Sequence, residues 1–101
     1  FPSIIRKGNI TAAISSGGTS PFFTKVLRKR IEELLKDIFQ LDKPELLVMF
    51  RDFVRENTDD WDIKQKMFDK IIECDKETWE NWSVETPPVT EWRKWLEELN
   101  K

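Results

Sequence analysis

The stretch Ile10-Thr11-Ala12-Ala13-Ile14-Ser15-Ser16-Gly17-Gly18-Thr19-Ser20-Pro21 changes its period partway along, and that change decides the fold. Ile10, Ala12 and Ile14 alternate with Thr11, Ala13 and Ser15, the period of a half-buried strand. From Ser20 the apolar residues recur at helical spacing instead: Phe23, Leu27, Ile31, Leu34 and Ile38, with Val26 and Leu35 alongside. Ser20 suits an N-cap and Pro21 the first helical position, which predicts a helix over residues 21–39. Between strand and helix lie two of the chain's three glycines, flanked by hydroxyls.

Upstream, Pro2-Ser3-Ile4-Ile5 is short and β-branched, and Gly8-Asn9 supplies a turn, so residues 2–15 read as a hairpin. A two-stranded hairpin is marginal in water, so these strands are expected to pair with a neighbouring domain or a second copy of the chain. Downstream, Asp42 with Glu45 three residues on resembles a capping box before Leu46, Leu47, Phe50, Phe53 and Val54. Asp59-Asp60 can cap a helix carrying Ile63, Met67, Phe68, Ile71 and Ile72, and Asp75 starts a short turn with Trp79 and Trp82. Thr86-Pro87-Pro88 breaks the chain before a last helix with Trp92, Trp95, Leu96 and Leu99. The expected fold is therefore α+β and mostly α: an N-terminal hairpin, intertwined with a dimer partner, followed by a bundle of four or five helices.

Composition narrows the function classes. The 101 residues allow one domain but not two full cores. Histidine is absent, which removes ordinary zinc sites, Ser-His-Asp triads and Cys-His dyads. Cys74 is the only cysteine, so no internal disulfide can form and a cytoplasmic location is expected. No apolar run approaches the roughly 20 residues of a membrane span, and no membrane partner is expected. The sequons Asn9-Ile10-Thr11 and Asn81-Trp82-Ser83 read as chance matches in the absence of a secretion signal. The chain starts at Phe1 rather than Met and reads as a piece of a longer protein.

The net charge of −2 conceals a split. Residues 1–36 carry seven Lys/Arg against two Glu, whereas residues 37–101 carry ten Lys/Arg against seventeen Asp/Glu. The basic section holds the glycine loop, which points to a local anionic ligand. The acidic remainder argues against the phosphate-dominated electrostatics of a nucleic-acid binder. Ser15, Ser16, Gly17, Gly18, Thr19 and Ser20 together can form an anion cradle. Glycines admit a close ligand, the first helical N–H groups lack internal partners, and the helix dipole favours negative charge. Lys25 and Arg28 lie one and two turns into the helix, where cations oppose the dipole unless an anion compensates. The plainer alternative is a strand-to-helix connection whose serines cap the helix and whose cations are solvated. Neither a phosphate-loop signature nor a G-x-G-x-x-G fingerprint occurs.

Phe1-Pro2-Ser3-Ile4-Ile5, Ala13-Ile14-Ser15-Ser16-Gly17-Gly18-Thr19-Ser20-Pro21 and Leu27-Arg28-x-x-Ile31-Glu32, in that order, resemble the middle segment of siroheme synthases. These are the precorrin-2 dehydrogenase / sirohydrochlorin ferrochelatase proteins. The resemblance covers residues 1–35 and implies that these form a central dimerisation segment, with residues 36–101 a helical domain. It implies an NAD-binding Rossmann domain preceding the segment and absent from this chain, with NAD bound there. It implies a homodimer, and a tetrapyrrole substrate whose carboxylates meet Ser15 through Ser20, Ser16 being the direct contact and also a candidate phosphorylation site. Ferrous iron is the second substrate in bifunctional members. The aspartate to which the family's acid–base role is assigned lies upstream, so the piece is expected to be catalytically silent alone. Phe22-Phe23-Thr24 departs from the smaller residues of relatives. A competing reading is a helical protein-interaction module, in which Trp79, Trp82, Trp92 and Trp95 form a docking surface rather than core.

Overall fold

A computed structural model describes residues 3–8, 10–15 and 20–101. The chain forms two compact units, Phe1–Asp42 and Lys43–Lys101. In the first, strands β1 (Ser3–Lys7) and β2 (Ile10–Ile14) pair antiparallel, from Ser3 opposite Ile14 to Lys7 opposite Ile10. That register leaves two residues for the turn. Gly8 takes it at φ +58°, the left-handed region that favours glycine, and Asn9 lies outside the described residues. A methyl group at Gly8 would also stand 3.4 Å from the Leu41 carbonyl oxygen. The pleat puts Ser3, Ile5, Lys7, Ala12 and Ile14 on one face, where Ile5 is buried, while Ile4, Arg6, Thr11 and Ala13 on the other are all exposed.

Helix α1 (Pro21–Asp37) packs along the hairpin. Ser20 caps it: the Phe23 N–H donates to Ser20 Oγ at 3.2 Å. The helix stops at Asp37, two residues before the expected end, and a 3₁₀ turn over Phe39–Asp42 follows. The expected apolar stripe divides. Leu27, Ile31, Leu35 and Ile38 are half-buried, but Phe23, Val26 and Leu34 are exposed, and no residue of α1 is fully buried. Two strands are too narrow to cover an apolar stripe more than about 100° wide.

The second unit contains α2 (Pro44–Asn57), α3 (Trp61–Glu73), α4 (Lys76–Asn81) and α5 (Val89–Leu99). Its core is Leu46, Phe50, Phe53, Val54, Met67, Ile71, Trp79, Trp82, Trp92 and Leu96. Leu46, Phe50, Phe53 and Val54 follow the i, i+4, i+7, i+8 spacing of one helical face. Trp92 lies at its centre, edge-on to Phe50 at 5.1 Å and to Trp82 at 6.1 Å between ring centroids. Trp79, Trp82 and Trp92 are thus core residues and not a docking surface, with Trp95 half-buried against Phe50 and Trp82. Ile72 leaves the expected stripe of α3 and is exposed.

The Asp42–Glu45 capping box does not form. Lys43 occupies the N-cap without a side-chain cap, because Pro44 already stands at the first helical position. Asp42 sits in the 3₁₀ turn instead, 3.6 Å from Lys7 Nζ. The Lys43 ammonium donates to the carbonyls of Trp79 at 2.9 Å, Glu80 at 3.3 Å and Trp82 at 2.6 Å, closing the end of α4. Asp60 and Asp75 cap as expected, accepting from the N–H groups of Ile63 and Thr78.

The Asp75 cap and the Glu85 carboxylate make the second unit acid-sensitive. The Thr78 backbone N–H, with its hydroxyl, holds the Asp75 carboxyl below its ordinary value, and the Ser83 hydroxyl does the same for Glu85. A depressed carboxyl stabilises the fold above its unfolded pKa and stops doing so as pH falls through the folded value. Helicity followed by circular dichroism is therefore expected to weaken as pH drops through and below about 4. Asp75→Ala should flatten that dependence. An unchanged acid limb would show that the cap is energetically idle.

Candidate functional site

The loop between β2 and α1 is delivered by two well-defined ends. β2 finishes at Ile14, leaving Ser15 exposed, and α1 begins at Pro21 behind Ser20. Ser16, Gly17, Gly18 and Thr19 lie outside the described residues. Ser20 is half-buried and engaged in the helix start: besides the Phe23 N–H, its carbonyl accepts from the Thr24 N–H and the Thr24 hydroxyl, both at 3.2 Å. The first turn of α1 contains no acidic residue, so nothing on the helix itself neutralises the positive end of its dipole.

Lys25 and Arg28 share one face of α1, three residues apart, and both are exposed. Lys25 has no ion-pair partner among the described residues. Arg28 is tied down, donating from Nε to Glu32 at 2.9 Å and from Nη1 to Ser3 Oγ at 3.1 Å. Ser20, Lys25 and Arg28 are thus carried on one rigid helix, with Ser15 at the other rim of the loop.

Two side chains missed from the sequence join this end of α1. Phe22 is 77% and Phe23 56% exposed, placing two aromatic faces in the first turn beside the hydroxyls. Adjacent aromatics cannot both lie on one helical stripe, and that was the available signal. Among the described residues no group of three or more His, Cys, Asp or Glu could hold a metal ion, and no helix is long and apolar enough to cross a membrane.

Residues 7–34 match the protein family described as Sirohaem biosynthesis protein central, which spans most of the hairpin, the loop and most of α1. The chain is similar to the siroheme synthase of Nitrosomonas europaea, 41% identical over 56 residues that make up 55% of this chain and 12% of that protein. It is also similar to the siroheme synthases of Zymomonas mobilis and Actinobacillus succinogenes, each 51% identical over 35 residues, 35% of this chain and 7% of theirs. The matched part thus spans about a tenth of the length of these curated relatives. No solved structure matches the chain significantly.

Proposed function

We propose, from the match of residues 7–34 to the sirohaem biosynthesis central family and the likeness to siroheme synthases, that this chain is part of an enzyme of siroheme biosynthesis. In this reading the whole protein oxidises precorrin-2 to sirohydrochlorin with NAD, and in bifunctional form inserts ferrous iron, which is substrate rather than resident metal. The reaction belongs to the cytoplasm. The match over residues 7–34, from the turn of the hairpin through β2 and the loop into α1, carries the proposal.

The chain's own share is to bind and to assemble. Hydroxyls at Ser15, Ser16, Thr19 and Ser20, the backbone at Gly17 and Gly18, and the cation Lys25 receive carboxylates of the tetrapyrrole, while Arg28 is held by Glu32 and Ser3. These residues do not fit NAD, for which the sequence lacks the Gly-rich fingerprint, and no hydride transfer is assigned to them. A second copy completes the two-stranded sheet and covers the apolar side of the first unit, giving a homodimer.

Titrating the chain with sirohydrochlorin and following tryptophan fluorescence tests the substrate wall. Saturable quenching is expected, weakened roughly tenfold by Ser16→Asp, which sets a carboxylate against the ligand's own. Quenching indifferent to that substitution would remove the loop from the site.

A further inference from the structure

A second basic surface lies in the first unit, away from the glycine loop. Ile5, Arg6, Lys7, Arg28, Glu32, Leu35 and Lys36 line a concavity of about 280 Å³ between β1 and α1. Lys7, Arg28, Lys36 and a single carboxylate, Glu32, line it over an apolar floor of Ile5 and Leu35, while Arg6 borders it from the opposite face of the strand. Like charges gathered on a concave wall repel one another unless something compensates them. Lys7 is answered at 3.6 Å by Asp42, but Arg6 and Lys36 have no ion-pair partner among the described residues.

Arg28 is pre-organised here in a way a solvated arginine is not. Glu32 holds its Nε–H and Ser3 Oγ one Nη1–H. A guanidinium carries five N–H donors in a fixed planar fork, so the remaining ones are presented in one orientation. Such a fork matches the paired oxygens of a phosphate or carboxylate. Lys7 from the strand and Lys36 from the last turn of α1 add positive charge on the same concavity.

We propose that this concavity binds a small polyanion bearing phosphate or carboxylate groups, distinct from the ligand of the glycine loop. Size separates the two ligands: ligand pockets run from ~300 to ~1,000 Å³, and this one lies just below that range, too small for a macrocycle. Position separates them as well. At 1.5 Å rise per residue, Lys36 stands about 24 Å along α1 from Ser20.

Two-dimensional NMR of the full chain tests the proposal, with inorganic pyrophosphate and citrate titrated separately at constant ionic strength. Saturable shifts of the Arg28 Nε–H and of the Ser3–Lys7 amides are expected, and chloride should not reproduce them. Response to pyrophosphate alone assigns a phosphate ligand, response to citrate alone a carboxylate one, and either supports the site. Lys7→Gln with Lys36→Gln alters two solvent-accessible side chains and should weaken binding roughly tenfold. No saturable shift with either anion, shifts that chloride reproduces, or full affinity in the double variant would overturn it.

Discussion

Trp92→Ala is expected to cost the Lys43–Lys101 unit about 3–5 kcal/mol, the range for emptying an aromatic position in a packed core. The indole is 1% exposed and meets Phe50, Phe53 and Trp82 with ring centroids 5.1, 5.9 and 6.1 Å apart. Removing it takes away apolar burial and several edge-to-face contacts at once, and leaves Phe50 and Trp82 facing a void. A small helical unit has total stability on the order of 5 kcal/mol, so most molecules should be unfolded or close to it. Urea unfolding followed at a helical wavelength reads the effect. Trp92→Phe should retain more than half of the lost stability, because it keeps a ring in the site. A loss below about 1 kcal/mol for the alanine variant would mean that the aromatic cluster is not what holds these helices together.

The second large effect concerns self-association. Phe22→Glu together with Phe23→Glu should raise the dimer dissociation constant at least a hundredfold, since two interface aromatics commonly supply about 2 kcal/mol or more each. The reason lies in what the first unit leaves uncovered: Ile4 and Ile10 on the hairpin, and Phe22, Phe23, Val26 and Leu34 on α1, are all exposed in a lone protomer. Phe22, Phe23 and Val26 adjoin at i, i+3 and i+4 spacing on α1, the kind of exposed apolar surface that a second copy can cover. Sedimentation velocity over a range of concentrations distinguishes the outcomes, with helicity measured alongside to confirm folding. Either a wild-type chain that stays monomeric throughout, or a double variant that associates as tightly as wild type, would count against the homodimer.

The sequence was most legible where one period dominated. Alternation over Ile10–Ile14 located β2, and Ser20-Pro21 located the start of α1 to the residue. Asp60 and Asp75 marked helix starts because each stands three residues before the N–H that it accepts from. Asp42 misled for a physical reason: Pro44 fixes the helix start, so a capping side chain would be needed at position 43, and Asp42 turns to Lys7 instead. The stripe of α1 misled because periodicity reports how much apolar surface a helix offers, not how much surface stands ready to cover it. At the candidate site, Ser20 was legible as the cap of α1 and Lys25 as a residue of its first turns, whereas Ser16, Gly17, Gly18 and Thr19 lie outside the described residues. The exposure of Phe22 and Phe23, and the cluster of Lys7, Arg28 and Lys36, depend on how β1 lies along α1 and have no local signature.

The boundary between the units falls immediately before Lys43, whose ammonium ties the end of α4. An excised helical fragment must therefore begin at or before this residue to retain its latch. Starting one position later, at the more obvious proline, would sever a link between parts of the polypeptide 36 to 39 residues apart.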